Sequence, residues 1–314
     1  MKCKKCGGVA VINMRHHRLA LCADHYLDWF VTYTQRTIEK FRMFGSGDRL
    51  LVAVSGGKDS LALWDVLLRL GYQADGLYIK LGIEHQGYSD RSLDYVQRFL
   101  ETSEAANPPR APRPTQHVLH VVDIKGTYGE SIPELARRTG RGRGKPCSVC
   151  GLVKRHVMNR VAQEGGYAAL ATGHNLDDEA AVLLQNTLRW QTGYLARQAP
   201  VLEATQPGLS RKVKPFCRLY ERETAAYALV RGIDYIYDEC PHATGATTIF
   251  HKESLNRLEG RSPGAKHSFY LDFLRAKKKG QLLLPAEEVE LHPCEKCGQP
   301  TTAPGLCAFC RLWQ

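Results

Sequence analysis

The sequence predicts an α/β protein, an open and doubly wound parallel sheet flanked by two small cysteine-rich modules. Three observations predict it. Short apolar runs alternate with helical stretches between residues 50 and 188, and strands joined by helical crossovers form parallel sheets with helices on both faces. A glycine turn, Ser55-Gly56-Gly57, lies where the first of these strands meets its helix. Eight of the eleven cysteines fall in CxxC pairs, and three of those pairs lie near the two ends of the chain.

Residues 1–28 read as the first cysteine module. A helix follows over Asp28–Phe44, stopped by Gly45-Ser46-Gly47. Leu50–Val54 is continuously apolar and partly β-branched, the pattern of a buried parallel strand. Beyond the glycine turn, Leu61, Leu63, Trp64, Leu67, Leu68 and Leu70 make a helix that ends at Gly71. Leu77–Leu81 is a second strand and Arg91–Glu104 a helix. Asn107–Pro114, with four prolines, is an exposed loop. Val118–Ile124 is a third strand. The stretch Arg137–Lys145 is too rich in Gly and Arg to pack, and it leads through Cys147 and Cys150 into a helix ending near Glu164. Ala168–Ala171 is a fourth strand, Leu176–Leu188 a helix, and Phe269–Lys279 a basic helix. The second cysteine module begins near Cys294. Three units result: 1–28, 29–290 and 291–314. No internal repeat is evident apart from the two modules.

The 314 residues are 43% hydrophobic, enough for one sizeable core with small additions. No stretch approaches the roughly 20 apolar residues of a membrane helix, and the N-terminus lacks the apolar run of a secretion signal. The expectation is a soluble, cytoplasmic protein whose thiols are reduced, so the cysteines are not a disulfide framework. The formal charge of +11 suits a polyanionic partner, since Lys and Arg gain affinity by releasing counterions from phosphates; a solvated basic surface is the plainer reading.

Ser55-Gly56-Gly57-Lys58-Asp59-Ser60 is the most informative motif. Its glycines let backbone approach a phosphate, and the following helix offers unpaired N–H groups. Ser55 and Ser60 add hydroxyl donors, and Lys58 adds charge. Asp59 would repel phosphates unless it holds a metal ion, which points to a Mg2+-bound nucleotide. The spacing is neither a Walker A loop nor GxGxxG. The motif resembles the PP-loop of the N-type ATP pyrophosphatases, which split ATP to AMP and pyrophosphate and adenylate a carbonyl oxygen. A second loop, Thr172-Gly173-His174-Asn175-Leu176-Asp177-Asp178, follows the fourth strand, where open parallel sheets bind ligands. Its paired carboxylates can hold Mg2+ or move protons, and Asn175 or Asp177 can equally cap the next helix. This TGHNxDD run resembles the second motif of tRNA-thiolating PP-loop enzymes.

Cys3-x2-Cys6-x15-Cys22-x2-His25 and Cys294-x2-Cys297-x9-Cys307-x2-Cys310 each place two close ligand pairs across a hairpin-length spacer, as a tetrahedral zinc site requires. Both are saturated and therefore structural. Cys147-x2-Cys150 has no second pair nearby. It is an incomplete zinc site, a redox pair, or a cluster completed by a distant cysteine, for which Cys240 and Cys217 are the candidates; Cys217 lies beside Phe216, as a small buried hydrophobe often does.

Taken together, these motifs resemble the tRNA 2-thiouridine synthetases of the TtuA/TtcA group, and the two zinc modules favour the TtuA branch, which acts on uridine 54 in the T-loop. Wobble-uridine or cytidine thiolation, and a non-thiolating adenylating enzyme, are the alternatives. The resemblance implies a [4Fe-4S] cluster on Cys147, Cys150 and Cys240, with one iron free to carry sulfur. It implies Lys154 and Asp178 as catalytic residues beside Asp59. ATP would lie on Ser55–Ser60 with Gly173 and Lys154 at the nucleotide and adenine against Ala53 and Ile79. It further implies sulfur from a ubiquitin-like carrier with a C-terminal thiocarboxylate. Arg137–Lys145 and Arg275–Lys279 are the candidate tRNA contacts, and a homodimer is expected because two-fold dimers are common.

Overall fold

Leu50, Leu51 and Val52 are all fully buried although successive strand residues point to opposite faces, so this run must lie inside a sheet covered on both sides. The computed structural model, which describes residues 1–106, 117–141, 146–243, 247–282, 284 and 290–314, places it there. The chain begins with a hairpin, β1 (Ile12–Met14) and β2 (Leu19–Leu21), and enters α1 (Ala23–Lys40). Then come β3 (Arg49–Val54), α2 (Lys58–Arg69), β4 (Gln73–Lys80), α3 (Tyr88–Ala106), β5 (Leu119–Asp123), α4 (Ile124–Tyr128) and α5 (Ile132–Thr139). They are followed by α6 (Pro146–Glu164), β6 (Ala169–Thr172), α7 (Leu176–Leu188), α8 (Thr192–Arg197), β7 (Val201–Leu202) and β8 (Lys212–Val213). Helices α9 (Glu221–Arg231), α10 (Thr247–Arg261) and α11 (Ala265–Lys278) precede a last hairpin, β9 (His292–Pro293) and β10 (Pro300–Thr301).

Six strands form one sheet in the order β5-β4-β3-β6-β8-β7. All neighbours are parallel except the edge strand β7, which runs antiparallel to β8. The sheet is therefore mixed at one edge, where the sequence predicts parallel strands alone. From β3 the chain winds outward through β4 to β5, then returns to add β6 on the other side. The crevice between the carboxyl ends of β3 and β6 is thus the topological switch point.

Leu50, Val52 and Val54 pack with Leu61, Trp64 and Leu67 of α2 and with Tyr26 and Phe30 of α1. Leu51 points the other way, toward Ala162 near the end of α6 and Tyr167. Beyond it, Val149, Val153 and Val157 of α6 meet Ile132 and Leu135 of α5 and Phe309 and Leu312 of the C-terminal module. That module is consequently part of the layer covering one face of the sheet.

Several predicted bounds shift for physical reasons. α1 starts at Ala23 rather than Asp28, with Cys22 at its N-cap, so the first module and the helix share a ligand-bearing turn. Arg137–Thr139 are not loose: they form the last turn of α5, which starts on a Ser131/Glu134 capping box and stops at left-handed Gly140. The rest of that basic stretch, 142–145, and the proline-rich loop Asn107–Pro114 lie outside the described residues. Among the described residues, no helix is long and apolar enough to cross a membrane.

Candidate active site

The phosphate loop closes on itself. Ser55 N–H donates to Ser60 Oγ at 3.1 Å, and Ser60 Oγ donates to the Gly57 carbonyl at 2.9 Å. Gly57 is the N-cap of α2, so the first N–H groups of that helix face the mouth of the crevice. Gly56 has φ of +78°, and a Cβ on it would sit 2.5 Å from the Ser92 carbonyl oxygen. Only glycine fits there. Gly173, on the loop after β6, is equally confined: its Cβ would lie 2.8 Å from the Asp59 backbone. Ala53 and Ile79 lie on β3 and β4, both half-buried on the α6-facing side of the sheet.

Asp59 is held by the Thr224 hydroxyl, by Asn175 Nδ2 at 3.3 Å and by Lys58 Nζ at 2.9 Å. Burial pushes its carboxyl above the usual range, against the pull of Lys58 and Thr224. Asn175 caps α7 by accepting from the N–H groups of Asp177 and Asp178, while Asp178 accepts from the Asn175 N–H at 3.0 Å. The capping reading of this loop thus holds for Asn175, with Asp178 as its reciprocal partner.

Four residues that the motifs do not contain complete the site. Glu221 and Thr224 come from the first turn of α9, Lys252 from α10 and Lys266 from α11. Glu221 accepts from Lys58 at 2.9 Å and from Lys252 at 3.1 Å, and Lys252 also reaches Asp178 at 2.6 Å. Lys266 holds the buried Asp177 at 2.5 Å. Burial opposes ionisation of both Lys58 and Lys252, but their carboxylate partners outweigh it and raise both ammonium groups above the ordinary value. The result is an alternating chain Asp59–Lys58–Glu221–Lys252–Asp178 around the crevice.

Cys147 and Cys150 lie in the first turn of α6, three residues apart and on one side of it. Cys147 donates to the His242 carbonyl at 3.2 Å, which ties α6 to the loop bearing Cys240. Burial raises the Cys150 thiol, and Lys154, Cys240 and Cys147 lie near it. Cys150 is thus the common neighbour of the other two predicted cysteines and of Lys154. Cys217 is remote from them in character, fully buried beside Phe216 and Leu219. Ile236 N–H donates to the Gly56 carbonyl at 2.9 Å, so the segment that leads to Cys240 is pinned to the phosphate loop. Of the predicted basic contacts, Arg137 is exposed, Arg138 pairs with Glu130 at 2.8 Å, Arg275 pairs with Asp272 at 2.5 Å, and Lys277 donates to the Ala196 and Gln198 carbonyls.

The two terminal cysteine sets each gather four donor atoms within 4.8 Å of one another. Tetrahedral zinc bonds imply edges of about 3.8 Å between sulfurs and about 3.6 Å between sulfur and imidazole nitrogen. The structure has 3.7 Å for Cys6–Cys22, 3.8 Å for Cys297–Cys307 and 3.6 Å for Cys3–His25, while Cys22–His25 is shorter at 3.2 Å. Burial alone would raise the Cys3 thiol, yet the N–H groups of Cys22, Lys5 and Cys6 draw it down to about 5, toward the thiolate a metal needs. The donor sets fit a tetrahedral ion.

Fold and site together define a class: α/β enzymes with a phosphate loop at the sheet's switch point and cysteine metal sites built around it. Residues 2–27 match the model of the 2-thiouridine synthetase TtuA N-terminal LIM domain. Over its whole length the chain is 53% identical to a tRNA-5-methyluridine(54) 2-sulfurtransferase of Thermus thermophilus, covering 91% of that protein. It is 42% identical to the protein so named in Pyrococcus horikoshii, covering all of this chain and 94% of that one. The U34-tRNA thiolase NcsA from Methanococcus maripaludis, solved with its [4Fe-4S] cluster, shares the fold, with a TM-score of 0.76 at 22% identity over 99% of this chain and 95% of that one. The chain belongs to the tRNA-5-methyluridine(54) 2-sulfurtransferase family.

Proposed function

We propose that this chain is a tRNA 2-sulfurtransferase that uses ATP to exchange the 2-carbonyl oxygen of uridine 54 for sulfur. The observation that carries the mechanism is the 2.9 Å hydrogen bond from Ile236 to Gly56, because it couples the phosphate loop to the Cys240 segment at one crevice. The family relationship supports the target position.

In this reading the N–H groups of the phosphate loop and the α2 N-terminus bind ATP phosphates, with Lys58 neutralising charge and Asp59 the residue that would hold Mg2+. Ala53 and Ile79 offer an apolar wall to adenine. The uracil O2 attacks the α-phosphorus, the bond to pyrophosphate breaks, and the base is left adenylated. Hydrosulfide then attacks C2 and the C2–O bond to AMP breaks. Lys154, one turn after Cys150, stabilises the negative charge on the α-phosphate oxygens as AMP departs, and Asp178 takes the proton released when the sulfur adds to C2. Cys147, Cys150 and Cys240 would hold a [4Fe-4S] cluster whose open iron supplies the sulfur-binding Lewis acid. The terminal sets Cys3/Cys6/Cys22/His25 and Cys294/Cys297/Cys307/Cys310 would each hold structural Zn2+. The resemblance supports a ubiquitin-like thiocarboxylate carrier as sulfur donor, and a homodimer is proposed because two-fold dimers are common.

The test uses anaerobically purified protein, ATP, a sulfide source and tRNA transcripts with uridine or cytidine at position 54. Sulfur-for-oxygen substitution confined to the uridine transcript, matched by AMP formation, is the expected result. Thiolation that persists with cytidine 54 overturns the assigned position. AMP formed without sulfur entering any tRNA overturns the thiolase reading.

A further inference from the structure

The turn Arg15–His17, between the two strands of the N-terminal hairpin, folds back against α9 and α11. Its two histidines lie in an aromatic pocket between the N-terminal module, α9 and α11. The His16 ring is 4.0 Å from that of Tyr220, and the His17 ring is 5.1 Å from those of Trp29 and Tyr33. Glu223 of α9 reaches into the same pocket with its side chain fully buried, and the His16 side chain is only 7% exposed. Each of the three residues offers a donor atom, and these atoms lie within 4.8 Å of one another.

Among the described residues, His16 Nε2, His17 Nε2 and Glu223 Oε1 are all buried without a hydrogen-bond partner. His16 Nε2 and Glu223 Oε1 approach to 3.0 Å, yet they are not aligned as donor and acceptor. Two lone-pair atoms that come close without facing each other are arranged as co-ligands of a common centre. A protonated His16 would give Glu223 a charge partner but leave His17 Nε2 buried and unpaired, which is costly. Glu223 is also oriented from behind, because its other oxygen accepts from the Tyr220 N–H at 2.9 Å. That is the outer support metal-binding carboxylates have.

We propose that His16, His17 and Glu223 form a third metal site, for a borderline divalent ion of the zinc, cobalt or nickel type, clamping the N-terminal module onto α9. Two imidazoles and one carboxylate are a known zinc donor set with a fourth position for water, and nitrogen-rich sets disfavour Mg2+ and Ca2+. The site carries one anionic ligand, and Arg218 stands close enough to oppose a dication. It therefore binds more weakly than the cysteine sets and releases its ion first under a mild chelator.

The test titrates Co2+ into holoprotein whose cysteine sites are already filled, counting bound cobalt by elemental analysis after gel filtration. The wild type is expected to retain one cobalt per chain, and the His16→Ala/His17→Ala variant none, with zinc content equal in both. No cobalt retained by the wild type, or equal retention by the variant, overturns the proposal. If the variant does not fold, X-ray absorption at the cobalt edge of the wild type decides. A nitrogen/oxygen shell with imidazole scattering supports the site, and an oxygen-only or sulfur-containing shell overturns it.

Discussion

The Lys252 ammonium lies 2.6 Å from the Asp178 carboxylate, and through Glu221 it is joined to Lys58 of the phosphate loop. One lysine on α10 thus links the two motif loops, although it belongs to neither. Replacing it removes the charge partner of Asp178 and leaves Glu221 with Lys58 alone. Hydrogen bonds to charged groups are worth about 1.5–3 kcal/mol each. Lys252→Met should lower stability by about that amount and slow AMP formation by about tenfold or more, and Lys252→Arg should restore most of the stability. Urea midpoints and pyrophosphate release measure the two effects. Wild-type turnover in the methionine variant would remove Lys252 from the site.

Gly56 and Gly129 make separable predictions. Gly56→Ala must place a Cβ 2.5 Å from a backbone carbonyl oxygen while holding φ at +78°, and neither backbone can yield cheaply. The left-handed conformation alone costs about 1–2 kcal/mol. ATP affinity should fall by at least about tenfold in Gly56→Ala, whereas Gly129→Ala, also at positive φ but with open space around its Cβ, should lose stability without losing ATP affinity. Equilibrium binding of a non-hydrolysable ATP analogue distinguishes them, and equal affinities would refute the steric argument.

The parts of this site that were readable in the sequence are those whose chemistry is local. Ser55–Ser60, Asn175–Asp178 and the CxxC pairs each fit within one turn or loop, so their spacing carries their geometry. Glu221, Thr224, Lys252 and Lys266 were not readable, because they meet the motifs only after α9, α10 and α11 have packed. α10 buries His251 and Leu255 alone among its described side chains, too narrow an apolar stripe for periodicity to reveal. β7 and β8 are two residues each, below the length at which alternation has meaning. Cys22 hid the start of α1, since cysteine is not a usual N-cap.

Cys240 and Cys217 should behave in opposite ways. Cys217 is fully buried, and burial followed by Glu179 raises its thiol far above the ordinary value, which keeps it protonated and inert. Cys240 is half-buried near Cys150. Cys240→Ala is expected to abolish iron retention after anaerobic reconstitution while leaving zinc unchanged. Cys217→Ala should keep its iron and lose about 1 kcal/mol of packing. Iron loss in Cys217→Ala with retention in Cys240→Ala would reverse the assignment.

His156 gives the chain a specific acid sensitivity. Its ring is stacked on Phe309 at 3.6 Å with the planes 2° apart, and it stands between α6 and the C-terminal module. Burial first, and Arg160 second, push its pKa down to about 4, against about 6.5 in an unfolded chain. Between those values the unfolded state binds more protons, so the stability this neutral ring contributes is complete above about pH 6.5 and is lost as pH falls toward 4. The slope is at most about 1.4 kcal/mol per pH unit. His156→Phe keeps the stacked ring, gives up the contact with Gln299 and removes the titration. Urea midpoints measured from pH 7.5 to 4.5 under saturating zinc should therefore fall less steeply in the variant, even if it is slightly less stable at pH 7.5. Parallel profiles for the two proteins would mean that the ring takes up its proton without leaving the stack, and the C-terminal module would then owe its acid response to its cysteines alone.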